Sequence, residues 1–274
     1  MNVEPQITNT RVAVDAVHVL STRDNNMALG NPSNATSNIC DFNNYLLVKG
    51  DYSLSYNRSN GTPNWVSWHL SMAWKGNAPR VDRFAGDATL PSDWVKVFPS
   101  NYANSGFNKG HMCPSADRDA SPEDNKETFK MTNMVPQSPK NNQQTWRYLE
   151  TYCQNLAKNG NEMYIMSGPY GSGGEGANGY ATSMGNGKVK VPSKMWKVVV
   201  VLPDGSNDLS RITTTTRVIA VIMPNTQSVN THPWAYYRVS VDQIEALTGY
   251  NFLSAVPASI QNAIEAHADN VPIL

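Results

Sequence analysis

Residues 195–202 read Met-Trp-Lys-Val-Val-Val-Val-Leu. Four consecutive β-branched residues, Val198 to Val201, leave no polar face and disfavour helix, so they predict a strand buried on both sides. Such a strand needs apolar cover above and below. A chain of 274 residues is long enough to supply it. Further strands are predicted over Met163–Ser167 and Arg217–Met223. Tyr52, Leu54 and Tyr56 alternate with polar residues, as do Val66, Trp68 and Leu70, around the turn dipeptide Asn60-Gly61, whose positions both tolerate positive φ. Thr128–Thr132 also reads as strand. His69, opposite Trp68 and Leu70, reads as a solvated or hydrogen-bonded strand histidine.

Helices complete the layering. Trp146, Leu149, Cys153 and Leu156 recur at three- and four-residue steps within a helix predicted from Asn142 to Lys158, which Asn159-Gly160 ends. Ser121-Pro122-Glu123-Asp124 starts a short helix, with a capping serine, an early proline and acids at the positive end. Two more begin at Val239 and span Ser259–His267, placing His267 in the last one. The pattern predicts an α+β fold with a central, mostly antiparallel sheet flanked by helices. Residues 1–43 form a loop-rich N-terminal arm, and 44–274 form one domain.

Lys and Arg number 22, as do Asp and Glu, so the formal net charge is zero. This excludes coating of nucleic acid by bulk charge but leaves room for a local basic groove. No apolar run reaches the ~18–20 residues of a membrane span. The three cysteines, Cys40, Cys113 and Cys153, cannot all pair within one chain. Cys153 sits on the apolar helical stripe, where packing is its expected role and a bridge to Cys113 the alternative. The start of the chain lacks signal-peptide features, and only 16% of residues are charged. The expected setting is a mature secreted or periplasmic chain.

Chemistry concentrates in residues 107–150. Phe107-Asn108-Lys109-Gly110-His111 places an imidazole after a glycine, which allows close backbone approach to a ligand, and a cation. Imidazole titrates near neutrality, so His111 is a candidate general base. Asn142 offers a neutral carbonyl oxygen to a hard ion such as Mg²⁺. Glu150 follows about two helical turns later. Lys109, Arg80 and Arg83 are candidate phosphate clamps, arginine providing the bidentate fork. Together they suit metal-assisted phosphodiester cleavage.

The ordered set Asn108-Lys109-Gly110-His111, Pro114, Asp117-Arg118, Asn133, Pro136-Gln137, Asn142, Trp146 and Glu150 resembles the DNA/RNA non-specific endonucleases, which are ββα-metal or His-Me finger nucleases. The likeness is dense over residues 80–156, looser over the later strands, and fades before residue 44. It implies a ββα-metal motif within the sheet-and-helix fold. It also implies His111 as general base, Asn142 as the Mg²⁺ ligand (Mn²⁺ substituting), and Glu150 as acceptor for a water around the ion. Asn133 would orient the site, and Arg83, with Arg80 as near alternative, would bind phosphate. DNA and RNA would be substrates, with 5′-phosphate products and no membrane partner; the chain would act as a monomer or homodimer. Asn108 and Lys109 depart from the Asp-Arg of the family motif, and Gln154 stands where some members place arginine. These departures motivate the alternative of a non-catalytic nucleic-acid-binding relative. The 12 tyrosines and 7 tryptophans also permit a glycan-binding module, although core packing accounts for most strand aromatics.

Overall fold

The computed structural model describes residues 22–273. In chain order the strands are β1 (Tyr45–Val48), β2 (Ser53–Asn57), β3 (Thr62–Leu70), β4 (Asn108–His111), β5 (Met134–Gln137), β6 (Asn161–Tyr170), β7 (Gly174–Gly176), β8 (Gly179–Ala181), β9 (Ser183–Met184), β10 (Val189–Lys190), β11 (Lys194–Pro203), β12 (Arg217–Pro224) and β13 (Arg238–Val239). The α-helices are α1 (Pro122–Glu127), α2 (Trp146–Lys158), α3 (Asp208–Arg211), α4 (Val241–Thr248) and α5 (Ala258–Ile264).

Seven strands form one sheet in the order β1-β2-β3-β6-β11-β12-β13. Every pairing in it is antiparallel. The valine-rich strand β11 lies inside, between β6 and β12, which accounts for its two apolar faces. On one face, Met163, Ile165, Val199, Ile219 and Val221 pack with Trp146, Leu149 and Cys153 of α2. On the other, Tyr164, Met166, Val198 and Val200 pack with Val241 and Ile244 of α4 and Ile264 of α5. Each fully buried large apolar side chain contributes roughly 1.5–3 kcal/mol. Leu29 and Ala35 join this second layer, so the segment around them packs against the sheet. The rest of the expected arm, residues 1–21, lies outside the described residues.

Local signals decide most boundaries. Ser121 Oγ accepts from Asp124 N at 3.0 Å and starts α1. Ser240 and Gln243 form a reciprocal capping box at α4. In the β2–β3 connection only Gly61 takes positive φ (+64°), and a Cβ there would lie 2.2 Å from Lys188 O. Asn60 tolerates positive φ but does not adopt it here.

Three expectations change. Thr128–Thr132 is not a strand. Thr128 closes α1, Lys130 makes one bridge to Ala85, and Met131–Asn133 forms a short 3-10 turn. The predicted helix from Asn142 begins as a wide π-type turn over Asn141–Thr145 and becomes regular only at Trp146. Ser138, Lys140 and Asn141 are tied to Asn225, Gln227 and Pro224 at and just past the end of β12, which displaces the first turn. The last helix ends at Ile264, leaving His267 exposed beyond it. All three cysteines are free, with Cys113 and Cys153 both buried in the α2-side core and Cys40 exposed. We therefore expect a thiol reagent to label one cysteine in the native chain and all three in denaturant. Protection of two thiols after denaturation would show a bridge.

Candidate active site

His111 ends β4, opposite Met134 of β5. The chain leaving it is clasped by Asn133. Met112 N donates to Asn133 O at 3.0 Å, and Cys113 N donates to Asn133 Oδ1 at 2.9 Å. Asn133 Nδ2 donates in turn to Cys113 O at 2.9 Å and Thr128 O at 2.8 Å. This side chain is fully buried and uses its amide in both directions. It fixes the turn after His111 and the end of α1 together.

The clasp sets the imidazole against two aromatic rings. Phe129 lies 4.9 Å away and Phe84 5.6 Å, both edge-on. Nε2 is buried without a hydrogen-bond partner among the described residues. Burial, then the charges of Arg80 and Lys109, push the His111 pKa down to about 3. The ring is therefore neutral at physiological pH. The sequence suggests that Gly110 opens the backbone to a ligand. The structure gives another reason: a Cβ at Gly110 would lie 2.2 Å from Gln137 Oε1 on the paired strand.

Asn142 sits in the π-type turn. Its Nδ2 donates to Asn108 Oδ1 at 3.1 Å, and Gln143 Nε2 donates to the same oxygen at 3.0 Å. Asn108, the first residue of β4, thus joins the hairpin to the turn that precedes α2. With Nδ2 committed, the Asn142 carbonyl oxygen faces no described donor. That is the donor chemistry a hard cation takes. The β4–β5 hairpin, the turn and α2 together make the expected strand–strand–helix unit.

Glu150, on α2, lies 3.8 Å from Lys197 Nζ of β11. Burial pushes its carboxyl up to about 7, with Asp117 adding to the rise and Lys197 opposing it. Lys197 is itself buried and sits 4.3 Å over the Trp146 ring. Asp117 accepts from Trp68 Nε1 at 2.9 Å and from Gln154 Nε2 at 2.8 Å. Gln154 therefore anchors α2 to the loop that follows His111.

The cations divide. Lys109 Nζ lies 4.6 Å over Phe84, and the Arg80 guanidinium lies 4.8 Å over Phe129 while donating to Ser115 Oγ at 2.6 Å. Both rings also touch His111. Arg83 is exposed and bonds to no described side chain, although its neighbour Phe84 touches the imidazole. The hairpin unit thus gathers His111, Asn133, Asn142, Lys109 and Arg80, with Glu150 on its helix. Phe84, Phe129 and Lys197 were not singled out from sequence. Phe129 lay inside a misassigned strand, and Lys197 is far away in the chain. The surface concavity lined by Thr62, Tyr170 and Tyr250 includes none of these residues.

A second grouping of ligand-type side chains is Asp24, His69, Glu162 and Asp208. His69 is fully buried, as part of a hydrogen-bonded network rather than solvated. Asp24 N and Trp74 Nε1 both donate to its Nδ1, at 3.3 and 3.1 Å, so Nε2 carries the proton towards Glu162 Oε2 at 3.2 Å. Arg211 bonds to both Glu162 and Asp208. The network is internally satisfied and lies across the sheet from His111.

Replacing Asn133 by Ala leaves the Cys113 N–H and two carbonyls buried without partners. We expect a loss of roughly 2–4 kcal/mol, read from urea unfolding. A change within about 0.5 kcal/mol, the range of ordinary surface substitutions, would contradict the clasp.

A family model described as DNA/RNA non-specific endonuclease matches residues 29–259. A nuclease of Nostoc sp. is 51% identical over 244 residues, covering 89% of this chain and 86% of that one. Nuclease C1 of Cunninghamella echinulata is 31% identical over 223 residues, covering 78% and 84%. Mitochondrial nuclease EXOG of Danio rerio is 31% identical over 212 residues, covering 75% of this chain but only 60% of that one. A solved chain from an EndoG/EndoGI complex superposes with TM-score 0.69 at 24% identity, over 85% of this chain and 91% of that one, a likeness of fold. The chain therefore belongs to the DNA/RNA non-specific endonuclease family, and it is an endonuclease.

Proposed function

We propose that the chain hydrolyses phosphodiester bonds of both DNA and RNA to 5′-phosphate products, with His111 as general base and one Mg²⁺ held by Asn142. The carrying observation is the pairing, within one strand–strand–helix unit, of a neutral imidazole with a carboxamide whose nitrogen is already engaged. Bound there, Mg²⁺ would offset negative charge on the phosphate and on the departing 3′ oxygen.

The protein's own groups account for the rest. Arg80 and Lys109, held over the rings that flank His111, bind the phosphate. Their charges also depress the His111 pKa, so a bound phosphate offsets that effect and makes the imidazole a stronger base when substrate arrives. His111 then takes a proton from water as the water oxygen bonds to phosphorus. No 2′-hydroxyl takes part, which supports cleavage of phosphodiesters that join either sugar. Glu150 becomes an acceptor once a nearby cation favours its ionised form. Asn108 acts as a positioning residue: its amide holds Asn142 where the family motif has Asp, so the neutral substitution keeps a tie to the turn. The low charged fraction supports a secreted or periplasmic setting.

The test is degradation of plasmid DNA and structured RNA with Mg²⁺ and with EDTA. Both substrates should be cut with Mg²⁺ and spared in EDTA. His111→Ala and Asn142→Ala should each lower the rate at least about 10²-fold with the native fold retained. Arg80→Ala should cost more in KM than Arg83→Ala. Cleavage in EDTA, or near-normal rates for His111→Ala, would overturn the assignment. Binding without cutting would favour the non-catalytic alternative.

A further inference from the structure

A third set of carboxylates, far from the nuclease chemistry in both sequence and layer, lacks a charge partner. Asp242 and Glu245 project one turn apart from α4, and Glu265 stands at the C-terminal cap of α5. Asp242 N donates to the Glu265 backbone oxygen at 3.2 Å, which docks the start of α4 against the end of α5. One carboxylate oxygen from each residue lies within 4.8 Å of the others. The apolar residues of both helices pack on the face of the sheet opposite the α2 core.

Three acids in that space repel one another unless something neutralises them. Here nothing basic does: among the described residues, no lysine, arginine or histidine charge offsets Glu245 or Glu265. Glu245 Oε1 accepts from Phe252 N at 2.9 Å. Glu265 is only 4% exposed, yet its Oε1 has no hydrogen-bond partner among the described residues. The Glu265 carboxyl accepts from the Leu253 backbone, yet one of its oxygens stays unpartnered in a buried position beside two further acids, which is where a cation could be received. The negative end of α5 adds to the field there, whereas at the start of α4 Gln243 N donates to Ser240 Oγ and Asp242 N to the Glu265 backbone oxygen. Exposed Asp242 leaves a path for solvent and ions.

We propose that Asp242, Glu245 and Glu265 bind one hard divalent cation of the calcium class, which staples the start of α4 to the end of α5 and takes no part in phosphodiester cleavage. All-oxygen, multiply anionic and irregular, the set suits Ca²⁺, which tolerates variable geometry with water filling its shell. Mg²⁺ demands a near-ideal octahedron and keeps most of its water, so it fits less well. Burial and the two neighbouring acids hold Glu265 up to about 7, so a cation there would displace a proton near neutral pH.

The experiment uses the whole chain carrying Asn142→Ala, which separates this site from the proposed catalytic ion. Thermal unfolding is followed at neutral pH in EDTA and in excess CaCl₂, and CaCl₂ is titrated calorimetrically. Calcium should raise the midpoint by about 3–8 °C and bind at one site. Adding Glu265→Gln should remove both effects. Adding Asp242→Asn, a change at an exposed position that leaves the core untouched, should weaken calcium binding at least about tenfold. Absence of a calcium response in the Asn142→Ala chain would overturn the proposal. So would an undiminished response in either added variant, or a calcium-insensitive midpoint that rises as pH falls through neutrality, which marks a shared proton instead.

Discussion

The Asn133 carboxamide is the contact on which the active unit depends. It accepts from one side of the turn after His111 and donates to two carbonyls, one on that turn and one at the end of α1. Without it, the three residues of loop backbone between β4 and the 3-10 turn at Ser115 would have to satisfy their polar groups elsewhere. With it, the imidazole is held between Phe84 and Phe129, and the cations that bear on its charge are held by the same rings. Position and electrostatics of the base therefore have one structural cause.

Two kinds of polar construction coexist in the molecule. On the α2 face, polar groups are left incompletely matched: His111 Nε2 has no partner, Glu150 sits 3.8 Å from Lys197, and the Asn142 oxygen is open. On the opposite face, His69, Glu162, Asp208 and Arg211 satisfy one another. Incomplete matching costs stability, and a folded chain tolerates it where a ligand completes the set. The same reasoning distinguishes the Glu265 trio from the His69 network, although both gather acids.

Much of this was legible in the sequence. The valine run of β11, the alternation in β2 and β3, and the Trp146–Leu149–Cys153 stripe of α2 each carry their own periodicity, so their elements follow locally. His111, Asn133 and Asn142 were legible as an ordered motif. What depended on distant contacts was not. Asn141–Thr145 is wound wide because the segment before α2 is bonded to Asn225 and Gln227, more than eighty positions later. Phe129 flanks His111 only because the apparent strand around it is folded into a turn by Asn133. The proximity of Arg80 rather than Arg83 comes from packing on Phe129, which spacing along a loop cannot show. The depressed basicity of His111 likewise belongs to burial and to two cations, not to the imidazole itself.

The central claim is that the folded protein holds His111 uncharged, ready to accept a proton. A histidine lowered to about 3 stays neutral in the native state at pH values where the unfolded chain, near 6.5, is already protonated. Acidification from 6.5 towards 3 therefore favours the unfolded chain, and the native ring itself titrates only near the lower limit. The direct measurement is an NMR titration of the His111 imidazole nitrogens in the metal-free, substrate-free protein. The account predicts neutral-ring shifts from alkaline pH down to the acid limit of the folded state. A native-state midpoint at or above about 6.5, the ordinary value for histidine, would contradict it.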